Sequence, residues 1–322
     1  MTEPDLIEHY FNQSGLTGQP GCTGGVVVGI GDDCALVSVP DGWQLAQSID
    51  TLVEDVHFPV GIDPVLLGWR ALAVSISDLA AMGARPHSFF LALTLPRVDT
   101  DWLAGFCQGM ADLAARCSIP LVGGDTTRGP LTISLHVQGI VSANQALRRN
   151  GARPGDTVYV SGTLGDAGGA LPLVLKGATG IEDGKNASET LLLARYYQPQ
   201  PRLTLGQWLV DQGATAAIDI SDGLLGDCSH ILQASGCGAT LNSNALPISD
   251  ALRAVYPEDR ARSLALTAGD DYELCFTAPA SAIAESRSPI PVVAIGTVVE
   301  QAGICLDGQF IDPSEGGFRH FS

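Results

Sequence analysis

HSFFLALTLPRVDTDWLAGFCQGMADLAARCSIPLVGGDTTRG, residues 87–129, carries the alternation that decides the fold. Residues 87–95 form an apolar run of strand length, and residues 100–116 show the apolar spacing of a helix. Residues 120–122 predict a short strand, and the glycine-rich residues 123–129 predict a loop. Strands that alternate with helices predict an α/β or α+β architecture.

The same alternation continues on both sides of this segment. A polar stretch with glycines and a proline, RNGARPGD, predicts a boundary between an N-terminal domain, residues 1–148, and a C-terminal domain, residues 149–322. The further predicted strands are 26–30, 35–39, 45–49, 131–141, 157–161, 216–220, 272–277 and 291–298. The further predicted helices are 6–11, 63–82, 167–176, 188–197 and 202–211, and one that starts at Ser221 and Asp222.

Composition argues against several classes of function. The chain has 322 residues, 45% of them hydrophobic, and 35 acidic against 17 basic residues give a net charge of −18. This charge argues against binding to nucleic acid and to an anionic membrane. Its plainer interpretation is solubility. Because only Lys176 and Lys185 are lysines, a bound phosphate would be held by arginine, metal or backbone amides.

Cysteine use and the first residues bear on location. None of the eight cysteines forms a CxxC pair, and we interpret them as small buried hydrophobic residues. The start, MTEPDLIEHYFNQSG, lacks the basic and apolar regions of a signal peptide. No run of about 18 mostly apolar residues is expected, hence no membrane-spanning helix. The expected location is the cytoplasm. The glycine-rich residues 15–25 predict a loop.

Aspartates beside glycine, serine or threonine recur at five places next to apolar runs. They are Asp33 in GIGDD, Asp50 in SIDTLVEDVHF, Asp78 in ISDLAAMG, Asp125 in GGDTTRG, and Asp219 with Asp222 in AIDISDG. Two such charges about 4 Å apart repel by roughly 4 kcal/mol at an effective dielectric of about 20. Hard divalent cations with oxygen ligands remove that repulsion. The pattern therefore predicts Mg²⁺, and with it phosphate chemistry.

Each of these positions also has a simpler interpretation, and no Walker A motif is present to name the nucleotide site. GIGDDC also lacks the last glycine of a dinucleotide fingerprint. The simpler interpretations are a turn at Asp32 and Asp33, an ion pair of Asp78 with Arg70 or Arg85, a polar turn at GGDTTRG, a helix N-cap at Ser221 or Asp222, and a structural role for His57.

Seven segments in order closely resemble the thiamine-monophosphate kinase family, within the superfamily named after aminoimidazole-ribonucleotide synthetase. They are GIGDDCALV, SIDTLVEDVHF, WRALAVSISDLAAMGARP, GGDTTRGP, RRNGARPGDTVYVSG, AIDISDGLLGDCSHI and GDDYELCFT. The resemblance implies two α/β (α+β) domains, of which the N-terminal one binds ATP and Mg²⁺ and forms the core of a homodimer. It implies ATP-dependent phosphorylation of thiamine monophosphate, the last step of thiamine diphosphate biosynthesis.

The resemblance also implies roles for individual residues. The metal positions are Asp33, Ser48, Ile49 through its carbonyl, Asp50, Asp78, Asp125, Asp219 and Asp222, of which Asp50, Asp78 and Asp125 are the expected catalytic set. The ATP positions are Gly124, Asp125, Arg149 and Ser221, and the substrate positions are His57, Asp270 and Phe318. Asp270 stands where the family usually has glutamate, and Ser75 where it often has asparagine.

The expected reaction is a direct in-line phosphoryl transfer assisted by several Mg²⁺ ions. A phosphate monoester oxygen is the acceptor and needs little general-base help, so charge screening and positioning dominate. The alternatives are a sister enzyme of the superfamily, such as aminoimidazole-ribonucleotide synthetase, selenophosphate synthetase or the hydrogenase-maturation dehydratase. A non-enzymatic acidic protein that binds Mg²⁺ or nucleotide is the alternative from another class.

Overall fold

The computed structural model describes residues 3–12, 16–17 and 25–311. Two compact units divide the chain: the first comprises residues 1–79 and 84–144, the second residues 80–83 and 145–322. Both units combine helices with sheets, so the mixed α/β (α+β) fold class predicted from the sequence is confirmed. Each unit is described below by itself.

The first unit is built on a mixed four-stranded sheet with the strand order β3-β6-β4-β5. Pairing is antiparallel between β3 and β6 and between β6 and β4, and parallel between β4 and β5. A small antiparallel pair, β1 with β2, accompanies it. The elements are α1 (Glu3–Leu6), a π-helical turn (Ile7–Asn12), β1 (Val26–Val28), β2 (Leu36–Val37), β3 (Trp43–Val53), α2 (Pro64–Ala81), β4 (Arg85–Leu95), α3 (Thr100–Cys117), β5 (Leu121–Arg128) and β6 (Thr132–Ser142).

The sheet of the first unit buries one face and leaves the other partly exposed. Along β4, Phe89, Leu91 and Leu93 are buried, whereas the intervening Ala92 is exposed. This alternation follows from the two-residue period of a strand. Helix α3 begins where the Asp99 carboxylate accepts the Trp102 amide proton at 3.2 Å, as expected for an N-cap.

The second unit contains a seven-stranded sheet with the order β13-β12-β9-β11-β7-β10-β8 in the described part of the chain. All neighbours in it are antiparallel except β12 and β9, which are parallel. The elements are β7 (Asp156–Ser161), α4 (Asp166–Val174), α5 (Ala187–Tyr197), α6 (Leu203–Gln212), β8 (Ala216–Asp219), α7 (Leu224–Ser235), β9 (Gly238–Leu241), α8 (Asp250–Val255), α9 (Glu258–Thr267), β10 (Leu274–Pro279), β11 (Val292–Val299), β12 (Gly303–Leu306) and β13 (Gln309–Ile311).

Three local predictions were wrong. GGDTTRG is not a loop, because residues 123–128 continue β5 alongside β4. The strand predicted for residues 45–49 does not end before Asp50, since β3 continues to Val53. Helix α7 starts at Leu224 with Gly223 as its N-cap, so neither Ser221 nor Asp222 caps it. In the first two cases, pairing with a neighbouring strand overrides the local preference.

The expectation that no long apolar run exists was also wrong. Helix α2 is long and apolar enough to cross a membrane by length and composition, with a mean hydropathy of 1.3. However, 83% of this stretch is buried, as in the core helix of a globular protein. It is therefore weak support for a membrane span.

The cysteines largely follow the expectation of small buried hydrophobic residues. Among the described ones, Cys107, Cys228, Cys237 and Cys275 are buried and none is in a disulfide. Cys34 is the exposed one. Cys22 and most of residues 15–25, including the predicted loop there, lie outside the described residues.

Candidate active site

Strand β3 and helix α2 bring Ser48, Asp50 and Asp78 together in the first unit. Ser48 and Asp50 share one face of β3 because side chains alternate along a strand. Ser75 and Asp78 share one face of α2 because they are three residues apart. The Ser48 hydroxyl donates a short hydrogen bond to Oδ2 of Asp78. The helix thus presents a carboxylate to the row of polar side chains on the strand.

The Asp50 carboxyl is electrostatically disfavoured in this environment. Burial, reinforced by the negative charge of Asp78, raises the pKa of Asp50 to about 6. A hydrogen bond with Ser75 opposes the rise. Ser75 itself is fully buried, and its hydroxyl also lies 3.3 Å from the Ala71 carbonyl oxygen. A cation between Asp50 and Asp78 would relieve the repulsion, so this pair fits a metal site.

A cavity of about 890 Å³ in the first unit collects a second group of predicted site residues. Its lining includes Asp32, Asp33, Gly124 and Asp125. Ligand pockets commonly have about 300–1,000 Å³, so the space suits a nucleotide-sized molecule. Gly124 has φ +155°, and a Cβ there would lie 1.9 Å from the Leu91 carbonyl oxygen, so only glycine fits this position.

The sheet register separates the two groups. Asp50 pairs with Leu135, which pairs with Leu91, which pairs with Gly124, so the four residues form one row across the sheet. Three strand spacings place β3 and β5 roughly 14 Å apart along this row. The pair of Asp50 and Asp78 therefore lies apart from Asp125, which lines the cavity on β5.

His57 lies in the turn that follows β3. Its Nδ1 accepts the Val53 amide proton at 3.0 Å, and its own amide donates to the Val53 carbonyl at 2.9 Å. An accepting Nδ1 leaves the proton of the neutral ring on Nε2. The local contacts thus set the tautomer of the ring.

In the second unit, the carboxylate of Asp227 organises the turn between β8 and α7. Its Oδ2 accepts the amide protons of Ser221, Asp222 and Gly223 at 3.0, 3.1 and 3.1 Å. Burial and the nearby charge of Asp222 raise the pKa of Asp227 to about 6, although these three hydrogen bonds oppose the rise. Asp219, at the end of β8, is buried.

The turn after β8 is tied to the segment that carries Asp270. The Asp270 amide donates to the Ser221 carbonyl at 2.8 Å, and the Tyr272 amide donates to the Ile220 carbonyl at 2.9 Å. The structure therefore brings Asp270 beside Ser221 and Asp222.

A buried cluster of charged side chains surrounds Glu273, three residues after Asp270. Glu273 is fully buried, accepts hydrogen bonds from Arg195 and from Arg202 Nε at 2.7 Å each, and accepts one from Ser161 at 2.6 Å. Although burial opposes it, the bonds and charges of Arg202 and Arg195 lower the pKa of Glu273 below its usual value. Asp166 joins this cluster 3.8 Å from Arg195.

Comparisons with known proteins match the chain almost from end to end. The family model described as "AIR synthase related protein, N-terminal domain" matches residues 31–141, and the corresponding C-terminal domain model matches residues 153–307. Thiamine-monophosphate kinase of Escherichia coli is 46% identical over 306 residues, which cover 92% of this chain and 93% of that protein. The chain belongs to the thiamine-monophosphate kinase family.

Solved structures of this family have the same fold. A crystal structure of thiamine-monophosphate kinase from Stenotrophomonas maltophilia has a TM-score of 0.86 and 43% identity, covering 95% of this chain and 97% of that chain. AaThiL complexed with AMPPCP and TMP has a TM-score of 0.81 and 31% identity, covering 88% and 89%. The resemblance drawn from the seven motifs is therefore confirmed, and so is the two-domain fold of the superfamily.

Most of the predicted site residues of this family member fall into three groups. Ser48, Ile49, Asp50 and Asp78 lie on β3 and α2; Asp33, Gly124 and Asp125 line the cavity; and Asp219, Ser221, Asp222 and Asp270 lie around the turn after β8. The side chain of Arg149 is exposed, and its carbonyl accepts a hydrogen bond from Ser235 at 3.0 Å. Phe318 lies outside the described residues.

Within the described residues, no three histidine, cysteine, aspartate or glutamate side chains already form a metal-binding group. Mg²⁺ keeps several waters and uses one or two protein carboxylates together with substrate phosphates. The pair of Asp50 and Asp78, whose charges interact, fits such an ion.

Sequence reasoning missed Ser75, Asp227 and Glu273. Nothing in the sequence assigns Ser75 a role, although its hydrogen bond to Asp50 opposes the rise in the pKa of that carboxyl. Asp227 lies four residues beyond the glycine of AIDISDG, where its spacing from the preceding turn is the available signal. Glu273 belongs to GDDYEL, but its two arginine partners lie more than 70 residues away. No local pattern identifies them.

Proposed function

We propose that this protein transfers the γ-phosphate of ATP to thiamine monophosphate, forming thiamine diphosphate. The observation that carries the proposal is end-to-end likeness to thiamine-monophosphate kinases, one of them complexed with AMPPCP and TMP. The geometry supports it with paired carboxylates and with a nucleotide-sized cavity beside Gly124 and Asp125. We expect the reaction to be the last step of thiamine diphosphate synthesis in the cytoplasm.

The chain's own residues support a role as ligands and positioning groups. Asp50 and Asp78 would hold one Mg²⁺, with the Ser48 hydroxyl on Asp78; Asp33 and Asp125 would hold another, as would Asp219 and Asp222. When bound, Mg²⁺ supplies screening of the negative charge on the phosphate groups. Gly124 and Asp125 line the cavity and would contact the nucleotide there, as would Arg149 and Ser221.

Direct transfer follows from the chemistry of the acceptor. A phosphate monoester is already ionised near neutral pH, so the site needs positioning and charge neutralisation more than a strong base. His57 and Asp270 would contact the substrate, as would Phe318. None of these roles requires a covalent phosphoenzyme.

A homodimer is part of the proposal. The exposed face of the β3-β6-β4-β5 sheet carries Ile49, a residue that is 67% exposed, together with the exposed Thr51 and Ala92. A sheet face with exposed apolar side chains is stabilised when it packs against another layer. A second copy of this sheet is the partner we propose.

The test measures products and initial rates with purified protein, ATP and Mg²⁺. We expect thiamine diphosphate and ADP in equal amounts, and intersecting double-reciprocal plots. ATP consumption with an aminoimidazole ribonucleotide precursor or with selenide instead would favour a sister enzyme, and nucleotide binding without turnover would favour a binding protein. Parallel plots with a trapped phosphoprotein would overturn direct transfer.

A further inference from the structure

The segment of residues 270–273 presents alternate side chains to two different environments. Asp271 and Glu273 are buried, with 3% and 0% of their surface exposed. Asp270 and Tyr272 are partly exposed. The buried pair therefore belongs to the interior of the second unit, and the other two side chains stand at its surface beside the turn after β8.

The backbone of this segment is held in an unusual conformation. Asp270 has φ +68° and Tyr272 has φ +49°, in the left-handed region that non-glycine residues seldom adopt. Such a conformation persists only where the surroundings fix it, and it concentrates at functional sites. Here the amides of both residues are bonded to the carbonyls of Ser221 and Ile220.

The buried half fixes the segment from below. Asp271 Oδ2 accepts the Gly165 amide proton at 2.8 Å. Glu273 is held by Arg195, Arg202 and Ser161, and its carbonyl accepts the Ile220 amide proton at 2.8 Å. These bonds hold the buried side chains of Asp271 and Glu273 in place. The orientation of the partly exposed Asp270 carboxylate depends on other contacts.

One such contact comes from within the segment. The Tyr272 hydroxyl donates a hydrogen bond to Oδ1 of Asp270 at 3.0 Å. We propose that Tyr272 is a positioning residue that orients the Asp270 carboxylate toward the organic part of the substrate. The proposal deepens the proposed function and rests on it, because it takes Asp270 as a contact to the thiamine moiety.

The chemistry of both partners supports this role. Aspartate is one methylene shorter than glutamate and reaches less far, so its direction has to be set accurately. The phenol of Tyr272 supplies that direction by donating to one carboxylate oxygen. A carboxylate suits the positively charged thiazolium ring and the amino group of thiamine.

The first test is Tyr272→Phe, which keeps the ring and removes the hydroxyl. We expect the KM for thiamine monophosphate to rise about fivefold, while kcat, the KM for ATP and the melting temperature stay unchanged. The matched control is Tyr256→Phe, which removes a hydroxyl that donates to the Gly169 carbonyl at 2.7 Å in the same unit. It should leave both KM values unchanged.

A double-mutant cycle distinguishes positioning from mere structure. In an Asp270→Asn background, Tyr272→Phe should add little to the KM for thiamine monophosphate. Asp270→Glu combined with Tyr272→Phe should restore part of the lost affinity, because the longer side chain reaches without the phenol. If Tyr272→Phe raises the KM for thiamine monophosphate equally in the wild-type protein and in Asp270→Asn, the proposal is overturned.

The remaining outcomes separate this inference from the proposed function. A wild-type protein that phosphorylates thiamine monophosphate, with kinetics unchanged by Tyr272→Phe, overturns the inference alone. A wild-type protein that does not phosphorylate thiamine monophosphate overturns the proposed function and the inference with it.

Discussion

At the scale of single residues, the repulsion between the Asp50 and Asp78 carboxylates lowers the stability of the folded protein. Burial and the charge of Asp78 raise the pKa of Asp50 to about 6. In the unfolded chain an aspartate has a pKa of about 3.9, so ionised Asp50 destabilises the metal-free folded state. With respect to Asp50, the folded state has its full stability below about pH 4, where the Asp50 carboxyl is neutral. Part of that stability is lost as the pH rises through about 6 and the buried carboxyl ionises.

Asp50→Asn should therefore stabilise the metal-free protein near neutral pH while removing most turnover. We expect the free energy of unfolding in EDTA to rise by about 2 kcal/mol at pH 7.5, and the gain to vanish near pH 4. Denaturant unfolding at both pH values measures it. The control, Asp41→Asn, changes an exposed aspartate in a turn. It should alter neither the turnover nor the free energy of unfolding.

Full turnover in Asp50→Asn at saturating Mg²⁺ would contradict the role of Asp50 as a Mg²⁺ ligand. Mg²⁺ should also raise the melting temperature of the wild-type protein more than that of the variant, because a ligand that binds the folded state stabilises it. Equal shifts would contradict a cation at this pair.

Asp227 is the residue on which the turn after β8 depends. Replacing it by alanine removes the acceptor of three backbone amides. We expect the protein to lose about 3 kcal/mol of stability and the KM for ATP to rise, since Ser221 would no longer be held. Asp112→Ala, on the exposed side of α3, is the control and should be nearly neutral. A stable Asp227→Ala protein would be the contrary result.

Residue patterns identified the carboxylates of the site but not their supports. Asp33, Asp50, Asp78 and Asp125 stand out because charge next to apolar runs is unusual. Asp227 and Glu273 resemble ordinary polar residues in the sequence. Their roles depend on partners that only the fold brings near, such as Arg195 and Arg202 for Glu273.

At the scale of elements, helices α2 and α3 pack so closely that the contact has room only for a glycine, Gly109 of α3. A Cβ on Gly109 would lie 1.8 Å from the Val65 carbonyl oxygen. Gly109→Ala should therefore cost about 2–4 kcal/mol in stability, even though alanine favours a helix. Thermal unfolding measures the loss.

Gly105→Ala is the matched variant on the same helix. A Cβ on Gly105 would lie 2.9 Å from the Pro64 side chain rather than against backbone, so we expect a clearly smaller loss. Equal melting temperatures for the two alanine variants would contradict the close approach of α2 to Val65.

Long periodic segments were predictable from the sequence, but the ends of strands at the site were not. Helices α2 and α3 were predicted to within about two residues, because their apolar spacing is sustained. GGDTTRG was predicted as a loop because of its glycines, yet β4 offers it a parallel partner. Strand β3 likewise continues beyond Asp50 along β6.

At the scale of the whole molecule, the open face of the first unit's sheet predicts self-association. Ile49→Asp places a charge in the middle of that face and should convert a dimer into a monomer in light scattering at micromolar concentration. Val98→Asp, at a 49% exposed position outside the sheet, should leave the dimer intact. A wild-type protein that is already a monomer would contradict the proposed interface.

The most direct test of the account follows the γ-phosphate in a single turnover with enzyme in excess. With labelled ATP, Mg²⁺ and thiamine monophosphate, we predict that the label moves into thiamine diphosphate, never resides on protein, and does not move when EDTA is present. Label on the protein before it reaches product, or transfer that persists in EDTA, would contradict direct transfer at Mg²⁺-binding carboxylates.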